Sequence, residues 1–110
     1  MTMTEDAIRS LQRELSAFAA ERGWECYHTP RNLAALISTE AGELLALFRW
    51  DQDSLAERPH AVRHELADVF LGVLRFADVA GIDIAAAARE KIDINRGNYP
   101  LGSTSPDRGG

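Results

Sequence analysis

Four acidic residues stand where acids are least expected. Glu40 and Glu43 are three residues apart, as are Glu65 and Asp68. On a helix that spacing puts each pair on one face, with Cβ atoms roughly 5–6 Å apart. Both pairs interrupt strongly apolar stretches, where an unpaired carboxylate is costly to bury. No Lys or Arg lies three or four residues from Glu40, and Arg49 and Arg63 are too few to neutralise four acids. A divalent cation is the simpler counter-charge, and oxygen-only ligands favour Mg²⁺ or Mn²⁺ over zinc or copper. A solvated acidic groove between two helices is the competing reading. Spacing alone does not choose, since Glu90 and Asp93 repeat it on a stretch that reads as a solvated face. A di-iron bundle requires two Glu-x-x-His motifs. Glu25-Cys-Tyr-His28 and Glu57-Arg-Pro-His60 match, but the first falls in the short connection before Pro30 and the internal proline of the second removes the shared helical face.

The elements that must position these acids follow from periodicity and caps. Thr4, followed by Glu5 and Asp6, predicts a first helix whose apolar face is Ile8, Leu11, Leu15, Phe18 and Ala19, with Gly23 as its stop. Thr29 as cap and Pro30 at the first helical position predict a second helix from Pro30 to about Trp50. Asp51 to Pro59 is a polar connector with room for a short helical piece from Ser54 to Arg58. A third helix is predicted from Pro59 or His60 to Ala80, stopped by Gly81, and a fourth from the cap Asp83 to about Asn95. The second and third are apolar around most of their circumference, the mark of central helices. Packed side by side, they would bring all four carboxylates together. The resulting fold class is all-α, one domain over residues 1–101 with a small polar tail at 102–110.

Composition narrows the functions. A chain of 110 residues with 45% apolar content supports one core. So short a domain leaves apolar area for a partner subunit to cover. Twelve basic against seventeen acidic residues give a net charge of −5 without a basic stripe, which excludes nucleic acid as the expected partner. Cys26 is the single cysteine, so neither a disulfide framework nor a cysteine zinc site is expected, and a reducing, cytoplasmic setting fits. No stretch approaches a membrane span, and no leader pattern opens the chain.

With these residues in place, the chain resembles the MazG-like all-α nucleotide pyrophosphatases, most of all their dCTP pyrophosphatase branch. Glu40-Ala-Gly-Glu43 and Glu65-Leu-Ala-Asp68 match the pattern Glu-x-x-Glu, a gap of about twenty residues, then Glu-x-x-Asp. The surrounding blocks Phe18-Ala-Ala-Glu-Arg-Gly-Trp24, Tyr27-His-Thr-Pro-Arg-Asn-Leu33, Phe48-Arg-Trp50 and Lys91-Ile-Asp-Ile-Asn95-Arg-Gly-Asn-Tyr-Pro100 extend the match over about residues 15 to 100. The resemblance implies a four-helix bundle-like MazG fold and a homotetramer, or a dimer. It implies Mg²⁺-dependent cleavage of a nucleoside triphosphate, dCTP or a modified deoxynucleotide among them, between the α and β phosphates. Glu40, Glu43, Glu65 and Asp68 would hold Mg²⁺, which draws in phosphate oxygens and lowers the pKa of an attacking water.

By the same resemblance Trp24 and Trp50 carry over as walls of the base pocket, and Lys91 and Asn95 as contacts to the triphosphate and the sugar or base. Without it, the tryptophans read equally well as core packing, and Lys91 and Asn95 as a solvated helix face. His28 reads as a structural residue of a cap-like Tyr-His-Thr-Pro segment, and Cys26 as a small pocket or core residue rather than a nucleophile. Three positions depart from the branch, among them Asn98, where a basic residue often precedes the final Tyr-Pro. Gly72 stands where the branch carries a base-contacting tyrosine, and Leu15 where it carries a pocket histidine. Gly72 therefore marks close packing or added pocket space. The rival from another class is a helical nucleotide-binding or protein-interaction module without turnover.

Overall fold

The computed structural model describes residues 3–102, and among them every regular element is a helix. In chain order these are α1 (Met3–Glu21), a 3₁₀ turn at Glu25–Tyr27, α2 (Pro30–Ala46), the short α3 (Ser54–Glu57), α4 (Pro59–Ala80) and α5 (Ile84–Asn98). The third and fourth expected helices are thus α4 and α5. Residues 103–110, the bulk of the expected tail, lie outside the described residues, as does the side chain of the expected cap Thr4.

The boundaries show the local chemistry at work. Thr29 accepts a hydrogen bond from the Asn32 amide, and Pro30 opens α2 without needing a donor. Asp83 does the same for α5 through the Ala86 amide. Gly23 and Gly81 adopt the left-handed conformation, φ 67° and 71°, that ends α1 and α4. Two ends differ from expectation. α5 continues to Asn98, because Gly97 near an exposed helix end removes no backbone donor. α2 stops at Ala46 instead of running to Trp50. The amides of Leu47, Phe48 and Arg49 bond to the carbonyls three residues back, Leu44, Leu45 and Ala46, so the α pattern tightens into turns, and the Leu47 carbonyl beyond them is taken by the Ser54 hydroxyl and by Arg58 Nη2 at 2.7 Å.

α2 lies along α4, α1 packs across α4, and α3 buttresses its start. Leu33 of α2, Ala19 of α1, and Val62, Leu74 and Ala77 of α4 form the buried apolar core. Gln12 is buried with them and donates to the Leu74 carbonyl at 3.0 Å, tying α1 to α4. Gly72 is buried where α4 crosses α2, and a Cβ there would sit 3.0 Å from Ile37 Cγ1. This glycine therefore permits the close approach of α4 to α2.

The core is small. Leu36 and Leu45 on α2 and Leu66 and Phe70 on α4 stay exposed, so the helices expected to be central are covered on one side only within a single chain. α5 contributes no buried side chain. No helix of the described residues is long and apolar enough to cross a membrane.

Candidate metal centre and adjoining cavity

Because α2 and α4 lie side by side, the two acidic pairs face one another. Carboxylate oxygens of Glu40, Glu43 and Glu65 all lie within 4.8 Å of each other. Asp68 stands one turn further along α4 and lines the adjoining cavity with Glu40. The chemistry of the group is that of uncompensated negative charge. Burial first, then the neighbouring Glu43, with Asp68 and Glu65 adding charge, raises the Glu40 carboxyl above its ordinary value of 4.5. Glu65 is raised by burial and by the charges of Glu43 and Asp68, against a smaller opposing effect of His64. Oε2 of Glu40 and Oε2 of Glu65 are buried and accept no hydrogen bond. Buried acceptors without donors, aimed into a shared space, fit a hard cation that takes several oxygen ligands. In contrast, Glu90 and Asp93 lie on exposed α5, where Asp93 pairs with Arg96.

Beside the acids opens a cavity of about 220 Å³, walled by Phe18, Ala19 and Trp24 on one side and by Leu33, Leu36, Leu71 and Gly72 on the other. Trp24 is 44% exposed and meets Phe18 edge-on, ring centroids 5.5 Å apart, which fixes the indole as a wall with one face accessible. The far end holds His28 and Arg75. Arg75 is only 8% exposed, and its Nε donates to His28 Nδ1 at 3.0 Å. Burial and then the Arg75 charge hold His28 below its ordinary 6.5.

The single chain does not gather every residue singled out in the sequence. Trp50 is 91% exposed on the bend after α2, and it, Lys91 and Asn95 lie outside the cavity lining. Cys26 is exposed on the 3₁₀ turn and is neither a core nor a cavity residue. Sequence reasoning misses Arg75. The signal available is a basic residue alone in the apolar stretch 66–80, seven positions after Asp68 and so on its helical face.

Known proteins share much of this sequence and fold. Human dCTP pyrophosphatase 1 is 38% identical over 87% of this chain and 61% of that protein. The Bos taurus protein of the same name is 36% identical over 89% of this chain and 62% of its own length. A crystal structure of a pyrophosphatase from Archaeoglobus fulgidus is 36% identical and superposes with a TM-score of 0.78, covering 91% of this chain and 95% of that one. The chain belongs to the MazG-like pyrophosphatases. No family model matches it. This MazG-like chain spans about three fifths of the length of the curated dCTP pyrophosphatases it matches. It shares nearly its whole length with the archaeal pyrophosphatase.

Proposed function

We propose that this chain is a Mg²⁺-dependent pyrophosphohydrolase that converts a deoxynucleoside triphosphate to its monophosphate and pyrophosphate. The observation that carries the reading is the convergence of Glu40, Glu43 and Glu65 within 4.8 Å, with two buried carboxylate oxygens lacking any donor. The names of the relatives, dCTP pyrophosphatase 1 among them, support the same reaction class. Glu40, Glu43, Glu65 and Asp68 would hold the ion, with Mn²⁺ as an acceptable substitute. When bound, the ion offsets the phosphate charge and favours attack of water at the α phosphorus. The protein's own part is positioning. Trp24 offers a stacking wall for the base, and the cavity's rim of Glu40 and Asp68 sets the phosphates at the acidic end.

A homotetramer, or a dimer as its smaller unit, would supply what one chain leaves apart. The exposed Leu45, Leu66 and Trp50 and the uncovered α5 are the surfaces for it, and a second copy would bring Trp50, Lys91 and Asn95 toward the nucleotide. The cytoplasm is the compartment in which such a reaction would have its substrates. The rival reading, a helical binding module without turnover, is separated by product analysis. Incubation of the protein with a panel of deoxynucleoside triphosphates and Mg²⁺, followed by ³¹P NMR, should show pyrophosphate and monophosphate in equal amounts. Orthophosphate as the first product, or no product from any triphosphate, would contradict the proposal.

A further inference from the structure

We propose that Arg75, oriented by His28, selects the base, and that the preferred substrates carry a carbonyl oxygen rather than an amino group on the base edge remote from the sugar. Such bases are uracil, thymine, guanine and hypoxanthine. The inference deepens the pyrophosphohydrolase reading and rests on it.

The cavity has two chemically opposite ends. Asp68, Leu71, Gly72 and Arg75 all line it from α4, at the spacing of one helical face. The seven residues from Asp68 to Arg75 span roughly 10.5 Å of helix. Phosphates drawn to the acidic end therefore leave the base along the Trp24 wall, with its outer edge toward Arg75. At about 220 Å³ the cavity is smaller than the roughly 300–1,000 Å³ of clefts that enclose a whole ligand, which suits a base with its phosphates outside.

The Arg75 end is built only of donors. A guanidinium has five N–H groups and no acceptor. One is committed to His28 Nδ1 at 3.0 Å, and Nη1 lies 3.6 Å from Asp78, an acid at the surface. Accepting that bond at Nδ1 leaves a neutral His28 with its proton on Nε2, a second donor. The depressed protonation of His28 agrees with the neutral ring. A buried arginine whose nearest acid lies at the surface is costly to maintain for packing alone. Facing it, a carbonyl oxygen completes the donor set, as arginine does when it reads a guanine edge. An amino group there sets donor against donor, and sites built to pair with one group reject its replacement strongly.

The test uses pairs of triphosphates that differ only at this position: dUTP against dCTP, and dITP against dATP. Affinity by calorimetry with Ca²⁺ and kcat/KM with Mg²⁺ are measured for all four. The wild-type chain should favour the carbonyl member of both pairs by about 10-fold or more. Arg75→Met should bring both ratios near one, because the carbonyl-bearing substrates lose more than the amino-bearing ones. Arg75→Lys, which keeps charge but loses the planar fork, should reduce the ratios in part and serves if the methionine variant does not fold. Equal or inverted wild-type ratios would overturn the inference, whatever the turnover. An equal loss on all four substrates in a folded variant would also overturn it, since it would assign Arg75 to phosphates or packing. Discrimination in binding without turnover of any substrate would instead remove the pyrophosphohydrolase reading and leave base selection standing.

Discussion

Glu43 lies between Glu40 and Glu65 and raises the protonation of both, so it is the residue at which charge and ligation are most tightly linked. Replacing Glu43 by Gln should lower Mg²⁺ affinity and turnover by at least ~100-fold, beyond the 10–100-fold usual for losing an outer partner of a metal site. Circular dichroism should show its helices intact. The pH dependence of the metal-free protein has a definite sign. Carboxyls raised above 4.5 in the folded state hold protons that the unfolded chain has released, so their contribution to stability falls as pH rises from the ordinary carboxylate range toward neutral. His28, held below 6.5, acts oppositely: its contribution is present above 6.5 and is lost as pH falls through its folded value. Thermal melts in EDTA should therefore show Glu65→Gln gaining on the wild-type protein as pH rises from the ordinary carboxylate range to neutral. Saturating Mg²⁺ should erase that gain, because the ion binds the wild-type folded state alone. A difference that is flat in pH would contradict the coupling.

Among the elements, α2 and α4 carry the acids, and what holds them in register is narrow. Leu74 is fully buried, and truncating it to Ala should cost about 2–5 kcal/mol in chemical denaturation, a large share of the stability of so small a domain. Thr29→Ala removes the acceptor for the Asn32 amide and should cost about 0.5–2 kcal/mol by the same measurement. Most of these elements are legible in residue type and spacing. Thr29-Pro30, Asp83, Gly23 and Gly81 are local devices whose effect is complete within one turn, and the helix ends fall where those residue types imply. The end of α2 is not legible in this way, because the amides of residues 47–49 switch to carbonyls three residues back with no Gly or Pro to signal it, and the turn is tied to Arg58, eleven residues after Leu47 across a connector. The approach of the acidic pairs follows from two apolar helices that have to pack. The Arg75–His28 bond, 47 residues apart and joining α4 to the loop before α2, has no periodic trace and is visible only in the fold.

At the scale of the whole molecule, the most informative feature is how much apolar surface remains. Leu45, Leu55, Leu66 and Trp50 are all more than half exposed, although α2 and α4 read as central helices. Trp50, Lys91 and Asn95, grouped with the site by family resemblance, stand apart from the cavity in one chain. The proposed assembly would account for both. Sedimentation of the protein should give a dimer or larger species, and Leu66→Asp should shift it toward monomer with loss of turnover. A monomeric, fully active wild-type protein would contradict that picture.

If the facing carboxylates of α2 and α4 share a divalent ion, Mn²⁺ electron paramagnetic resonance will register it. Titrated at neutral pH, the wild-type protein should quench the free Mn²⁺ signal saturably, Mg²⁺ should restore it, and Glu43→Gln should bind far more weakly. Equal Mn²⁺ uptake by the two proteins, or none by the wild type, would mean that these carboxylates hold no shared ion.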